Sequence, residues 1–271
     1  MSAAARAVLE GAVDYAGVFP PAGLGMAAAV ANYRRYRAGA DAWALGRFVC
    51  PAARLEEFAR ELEEGDRGIE IAATAPAGGV AEALEAVRRF HQAEARARVT
   101  AFEARLAGEP LPTGLETYWE LDPAIAEFEA QAMAVKAAGD RAKLRTGGVQ
   151  TQAIPSVEQV LRFLEVCERL DLPFKATAGL HHAQRGRYPL TYEADAPQAT
   201  MHGYLNLMLA QVALPNQAAA RSMLEAEELP GAELREDRIA AARRLFRGFG
   251  SCSFEEPLQC LTDLFSTLRP R

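Results

Sequence analysis

The sequence predicts an α/β protein with the (β/α)8 architecture of a TIM barrel. Eight apolar runs of strand length are present, and nearly all of them precede a segment with helical spacing of apolar residues. This alternation indicates a parallel sheet, and eight repeats indicate a sheet that closes into a barrel. The chain has 271 residues, which suits a single barrel of roughly 250 residues. An open doubly wound sheet is the alternative, but no GxGxxG fingerprint follows the first strand.

The first five strands are expected in the amino-terminal half of the chain. They correspond to residues 13–19, 43–50, 69–74, 99–106 and 115–121. The connection between the fourth and fifth strands should be irregular, because residues 107–114 contain two prolines and two glycines. After the fifth strand, Asp122-Pro123 is typical of a helix N-cap followed by proline at the first helical position.

The sixth and seventh strands are expected at Lys143–Gly148 and Phe174–His182, joined by a helix that begins with a capping box of Ser156 and Gln159. Residues 183–246 should form an insertion, irregular over 183–200 and then helical. The helices of the insertion are expected at 201–212, 217–228 and 237–246. The eighth strand is expected at 249–254, before a last helix marked by Leu258, Leu261 and Leu268. The whole of 1–271 is then one barrel domain.

Composition restricts the function classes. The net charge is −6, which favours neither nucleic acid nor an anionic membrane as a partner. No run approaches the ~20 apolar residues of a membrane span, and the amino terminus has no signal-peptide pattern. The four cysteines show no CxxC spacing, which predicts a reduced, cytoplasmic protein. A homo-oligomer is compatible with the sequence.

The two lysine strands are the strongest indication of chemistry. Alternation along a strand places Lys143 and Arg145 on one face, and Lys175 and Gly179 on one face of the next strand. Two inward lysines on strands ~4.8 Å apart would repel each other, which favours the neutral, nucleophilic amine. The alternative is purely structural pairing, for which Glu103 and Glu120 could supply carboxylates.

Three segments carry a resemblance to a known family. Lys143-Leu-Arg-Thr-Gly-Gly148, Phe174-Lys-Ala-Thr-Ala-Gly-Leu180 and Phe249-Gly-Ser-Cys-Ser-Phe254 resemble the last three strands of the deoxyribose-phosphate aldolase family. The resemblance implies that Lys143 forms a Schiff base and that Lys175 depresses its pKa. It also implies a proton-relay residue, at either Thr100 or Glu103, and a phosphate-binding turn after the last strand.

The chain departs from that family at two places. His181-His182 replaces an arginine and a small hydroxyl residue, and Glu255-Glu256 would repel a phosphate. The opening Asp14-Tyr-Ala-Gly-Val-Phe-Pro-Pro21 also resembles uncharacterised bacterial proteins of similar size, which implies no activity.

The candidate site residues fall into two groups. The catalytic candidates are Lys143, Lys175, Arg145, Glu103 and Asp14, of which Asp14 could instead join strand ends. The substrate-binding candidates are Gly147, Gly148, Gly179, His181, His182, His202, Gly250, Ser251, Cys252, Ser253 and Glu255.

A metal site is the competing interpretation of the same end of the barrel. His181, His182, Cys252 and Glu255 would lie near the ends of strands seven and eight, and such ligands suit zinc or a similar divalent metal. Glu256 also has a structural interpretation, because Ser253 and Glu256 fit a capping box.

Three functions follow from these alternatives. The first is a cofactor-free class I aldolase or lyase-like enzyme that acts on a small carbonyl compound through Lys143. The second is a hydrolase, lyase or isomerase that uses a divalent transition metal, and the third is a non-catalytic binding or scaffold barrel.

Overall fold

A computed structural model describes residues 3–267, so the predicted helical position Leu268 lies outside the described residues. The strands are β1 Val13–Tyr15, β2 Leu45–Pro51, β3 Ile69–Ala75, β4 Ala97–Arg105, β5 Glu116–Leu121, β6 Arg141–Arg145, β7 Phe174–Thr177, β8 Gly186–Pro189, β9 Gln198–Met201 and β10 Phe246–Ser251. The helices are α1 Ala3–Leu9, α2 Met26–Ala38, α3 Leu55–Arg60, α4 Val80–Ala93, α5 Phe128–Ala137, α6 Val157–Arg169, α7 Tyr204–Ala213, α8 Gln217–Glu225, α9 Glu236–Arg243 and α10 Glu255–Thr267.

Eight of these strands close into a parallel barrel, which confirms the predicted fold class. Their order around the barrel is β1-β10-β7-β6-β5-β4-β3-β2. Helices cover the outside, so most strand residues are buried on both faces, as is usual for parallel sheets. Helix α6 has the predicted capping box, in which Gln159 N–H donates to Ser156 Oγ over 3.3 Å and Ser156 N–H donates to Gln159 Oε1 over 2.7 Å. The β4–β5 connection contains neither helix nor strand, as expected.

The insertion between β7 and β10 is more ordered than predicted. Residues 183–200 were expected to be irregular, but β8 and β9 pair as an antiparallel hairpin. Leu190, Ala199 and Met201 form a small apolar cluster at this hairpin, packed against Ile154 and Tyr188. The prediction failed because the buried residues of the hairpin belong to a local cluster outside the main core.

Several predicted boundaries are also wrong, including the end of the seventh strand, which stops at Thr177 and not at His182. Helix α5 begins at Phe128, because Asp122 accepts a hydrogen bond from Ala124 N–H in a turn and does not cap a helix. Strand β10 begins three residues early, since buried Phe246 pairs with Phe174 of β7 and cannot end a helix. Strand β1 ends at Tyr15, well before the double proline, and helix α1 was not predicted.

The turns that follow β6 and β7 pack directly against each other. Gly179 has φ +73°, and a Cβ atom placed there would lie 3.1 Å from the Cα of Gly147. Thr146 of the first turn also donates its hydroxyl to the carbonyl oxygen of Ala178, over 2.5 Å. Glycine at both ends of the repeated lysine motif therefore has a structural reason, the close approach of two backbones.

We expect Gly179→Ala to lower the free energy of unfolding by more than the ~1–2 kcal/mol that a left-handed residue costs. Gly139→Ala is the matched control, because Gly139 has φ +75° and nothing lies within 4 Å of a Cβ placed there. Urea denaturation of both variants separates the backbone cost from the collision with Gly147. Equal losses would show that the contact between the turns contributes nothing.

Candidate active site

Both lysines point into the barrel, where they share one buried carboxylate. Lys143 and Lys175 are register partners on β6 and β7. Lys175 Nζ lies 2.5 Å from Glu103 Oε1, and Lys143 Nζ lies 3.3 Å from Glu103 Oε2. The side chain of Glu103 is only 3% exposed. Of the two residues considered for the proton relay, Glu103 is thus in contact with both amines.

A second carboxylate completes the environment of each lysine. Lys175 Nζ contacts Asp14 Oδ2, and the other oxygen of Asp14 accepts the backbone N–H of Arg47 over 2.6 Å. Lys143 Nζ lies 3.1 Å from Glu120 Oε2. Asp14 therefore joins β1, β2 and β7, which combines both roles considered for it. Thr100 is engaged elsewhere, as the acceptor for the guanidinium of Arg47.

The contacts of Lys175 oppose the neutral amine that repulsion between the two lysines would favour. Burial opposes its charge, but the negative charges of Asp14 and Glu103 outweigh burial and raise the pKa of Lys175 above its usual range. Burial likewise opposes ionisation of Glu103, yet Lys175 and Lys143 lower the pKa of Glu103 to about 2. The repulsion between the two amines is offset by carboxylates on other strands.

A cavity of about 1040 Å³ opens above this ion network at the carboxyl ends of the strands. Lys143, Glu103 and Glu120 line it, whereas Lys175 and Asp14 do not. The two lysines thus differ in access: Lys143 faces the cavity, and Lys175 lies in the ion network away from its lining. Phe19, Pro20 and Pro21 of the β1 loop contribute another part of the wall.

Arg145 also lines the cavity and forms an ion pair with Glu120. Its Nε lies 3.0 Å from Glu120 Oε1, and its side chain is 51% exposed. Of the three predicted glycine positions in the turns, Gly148 and Gly179 line the cavity. Gly147 is not part of the lining and packs against the backbone of Gly179.

The end of β10 and the turn after it consist of small residues at positions 250–253. Gly250 and Cys252 line the cavity. Ser251 is buried and donates its hydroxyl to the carbonyl oxygen of Ser253 over 2.6 Å. Ser253 Oγ accepts the backbone N–H of Glu256, so half of the suggested capping box is present. The carboxylate of Glu256 does not return to Ser253 and instead faces the cavity.

His181 lies between Glu256 and Cys252. One ring nitrogen, Nδ1, is 2.7 Å from Glu256 Oε2, and the other, Nε2, is 3.7 Å from Cys252 Sγ. Burial lowers the pKa of His181, but its hydrogen bonds with Cys252 and Glu256 outweigh burial and raise the pKa to about 9. Burial raises the pKa of the Cys252 thiol, but His181, together with Tyr192 and the backbone of Ala22, outweighs burial, so this pKa is lowered.

The four metal ligands considered from sequence do not converge, so that prediction is wrong. His182 stacks on Tyr188 with ring centroids 3.4 Å apart. Glu255 is 63% exposed and pairs with Arg35 on the outside. Within residues 3–267, no group of three or more His, Cys, Asp or Glu side chains is arranged to hold a metal ion.

His202 also differs from its expected position over the site. It is buried, its Nε2 lies 2.8 Å from the carbonyl oxygen of Pro155, and it is not part of the cavity lining. The neighbouring Met201 lines the cavity in its place.

Tyr192 of the insertion is a site residue that sequence reasoning missed. Its hydroxyl donates to Glu256 Oε2 over 3.1 Å and lies 3.6 Å from Cys252 Sγ. A tyrosine in a segment without recognisable periodicity carried no signal. The composition also contains a signal for the lysines, because only three of the 30 lysine and arginine residues are lysine, namely Lys136, Lys143 and Lys175.

No protein-family model matches the chain, and no curated protein matches its sequence. Every helix within residues 3–267 is too short or too polar to span a lipid bilayer.

Proposed function

We propose that the protein is an enzyme that forms a Schiff base between Lys143 and a small carbonyl compound, in the manner of a class I aldolase or related lyase. The observation that carries this proposal is the difference in access between two adjacent buried lysines. Lys143 faces a cavity large enough for a small metabolite, and Lys175 lies outside the cavity lining. The resemblance of β6, β7 and β10 to the deoxyribose-phosphate aldolase family is consistent with the same assignment.

The scarcity of lysine supports an amine-specific role at these positions. An arginine cannot lose its proton under ordinary conditions and forms no imine, whereas lysine can do both. In a chain that uses arginine for 27 of its 30 basic residues, two of the three lysines stand side by side in the barrel. The third, Lys136, is 43% exposed and contacts Asp171.

Each contact of Lys143 has a place in imine chemistry. The amine must lose a proton before it attacks the carbonyl carbon, and Glu120, whose Oε2 lies 3.1 Å from Nζ, is placed to accept it. Glu103 lies 3.3 Å from Nζ as a fixed negative charge. The carboxylic acid formed in that step returns its proton to the hydroxyl group of the carbinolamine, which leaves as water and gives an iminium ion. Its positive charge lies where the lysine ammonium was, so the same two carboxylates stabilise it. The iminium accepts the electron pair of the bond that breaks, or releases it when a bond forms.

Lys175 acts on this chemistry through Glu103. As an ammonium group it keeps Glu103 ionised and oriented, with one carboxylate oxygen toward each lysine. It is a positioning residue, since Glu103 and not Lys175 lines the cavity. Glu256 presents a carboxylate to the same cavity, which favours an unphosphorylated substrate over one with a phosphate dianion.

Borohydride trapping tests this proposal. The protein is incubated with a panel of small aldehydes and ketones, reduced with sodium borohydride and analysed by intact and peptide mass spectrometry. We expect one reduced adduct on Lys143 with at least one compound, because borohydride converts the imine into a secondary amine that does not hydrolyse.

Lys143→Arg should abolish the adduct, and Lys136→Arg should leave it unchanged. Labelling on Lys136 at the level of Lys143 would indicate nonspecific reaction and contradict the proposal. Failure of the whole panel to label Lys143 would also contradict it.

A further inference from the structure

The cysteine, histidine and carboxylate around Cys252 form a cluster that the imine chemistry does not use. Cys252 Sγ contacts His181 Nε2, and His181 Nδ1 contacts Glu256 Oε2. All three residues line the cavity. This is the order of nucleophile, base and orienting group found in thiol catalysis. Ser251 Oγ also lies 3.4 Å from Nδ1 of His181, farther than the carboxylate of Glu256.

The chain contains a second cysteine–histidine pair that serves as an internal comparison. Cys260 Sγ lies 3.6 Å from His182 Nδ1. Burial and the positive charge of His181 lower the pKa of His182 to about 4, and burial raises the pKa of Cys260. Proximity of thiol and imidazole alone therefore does not favour an ion pair in this protein, and the carboxylate of Glu256 distinguishes the first pair.

Two further features favour a thiolate at Cys252. Helix α10 begins at Glu255, three residues later, and the partial positive charge at a helix amino terminus stabilises a nearby anion. The nearby backbone N–H of Ala22 also lowers the pKa of the thiol. The residue is 6% exposed, and its opening is toward the cavity.

We propose that Cys252 is a catalytic nucleophile for acyl transfer from small carboxylic esters or thioesters. The Cys252 sulfur attacks the acyl carbon, and the protonated Nε2 of His181 gives its proton to the departing alcohol or thiol as the bond to that group breaks. The acyl group remains on Cys252 as a thioester. Water then attacks the thioester, His181 accepts a proton from that water, and the carboxylic acid is released as the thiolate and imidazolium are restored. This chemistry requires no imine on Lys143.

The first experiment uses p-nitrophenyl acetate. Formation of an acetyl thioester should give a burst of p-nitrophenolate equal to the protein concentration, because acylation precedes the slower hydrolysis. Mass spectrometry of the quenched protein should locate the acetyl group on Cys252. Cys252→Ala should abolish the burst, and Cys260→Ala should retain it.

Thermal melting of each variant by circular dichroism shows whether it is folded. A burst that persists in Cys252→Ala would overturn the proposal, as would acetylation of Cys260 at the same rate. Both results leave the trapping experiment on Lys143 unaffected, so the two proposals can fail separately.

The second experiment measures alkylation by iodoacetamide between pH 6 and pH 8.5. When the pH falls from 8.5 to 6, the alkylation rate of an ordinary thiol with a pKa near 8.5 decreases roughly 100-fold. The titratable groups facing Cys252 are His181, Glu256, Tyr192 and Tyr15. Because the imidazolium keeps the sulfur ionised, we expect the rate at Cys252 to change less than tenfold.

His181→Gln and Glu256→Gln probe the two other members of the cluster. We expect His181→Gln to restore the steep pH dependence of an ordinary thiol, and Glu256→Gln to lie between that variant and the wild type. A merely structural role of His181 would leave the pH profile unchanged and would overturn the proposal. A Cys252 profile as steep as that of Cys260 in the wild type would also overturn it.

Discussion

Replacement of Lys175 by methionine is expected to lower the free energy of unfolding at pH 7 by about 3–5 kcal/mol. Methionine fills a similar volume but leaves Asp14 and Glu103 without the ammonium that contacts both of them. Loss of one partner from a buried ion pair is costly because the remaining charge is desolvated and unpaired. Urea denaturation followed by circular dichroism measures the loss.

The variant should also respond differently to pH. Without the ammonium of Lys175, Glu103 takes up a proton more readily, so the deficit relative to the wild type is greatest at pH 7 and smaller at pH 5. Lys136→Met is the matched control, since its partly exposed pair with Asp171 is worth ~1 kcal/mol or less. A deficit that is equal for Lys175 and Lys136 would contradict the ion network described for the barrel.

Glu103→Gln is the second substitution with a large expected effect. Glutamine has nearly the same shape but no charge, so two buried ammonium groups lose their common partner. We expect a loss of about 3–5 kcal/mol at pH 7. We also expect trapping on Lys143 to slow by at least tenfold, because the iminium ion loses one stabilising carboxylate.

The pH dependence of unfolding provides the sign test for Glu103. Its pKa is lowered to about 2 in the folded protein, so its contribution is present above the ordinary glutamate pKa of about 4.3 and is lost as the pH falls toward 2. In Glu103→Gln this part of the acid destabilisation should be absent. Glu129→Gln, which removes an exposed pair with Arg169, should retain the wild-type profile. Identical acid profiles for wild type and Glu103→Gln would contradict the assignment.

The barrel and the position of the lysines could be predicted from sequence because both depend on short-range patterns. Strand length, alternation and turn residues are local, and counting them placed Lys143 and Lys175 on the sixth and seventh of eight barrel strands. The protonation state of Lys175 could not be predicted in the same way. It depends on Asp14 of β1 and Glu103 of β4, whose approach to β7 is set by closure of the barrel.

The histidines illustrate the same limit at the ends of the strands. Sequence reasoning expected His181 and His182 near Cys252, and the structure separates the two. Only His181 contacts Cys252, while His182 stacks on Tyr188 of the hairpin. Adjacent residues commonly point in different directions, and the partner of each depends on a hairpin that was not recognised. Glu256 was interpreted as a cap because its local spacing fits one, although its side chain contacts His181 instead.

The packing of the turns after β6 and β7 has a mechanical consequence. Gly147 and Gly179 are in backbone contact, and the hydroxyl of Thr146 is bonded to the carbonyl of Ala178. Displacement of one turn is therefore transmitted to the other, so the strands that carry Lys143 and Lys175 behave as one stiff unit. The β8–β9 hairpin and Tyr192 form another part of the rim, held by a small apolar cluster that includes Ile154, by the stacking of Tyr188 on His182 and by the hydrogen bond from Tyr192 to Glu256. We therefore expect ligands of different size to displace the hairpin more than the two lysine strands.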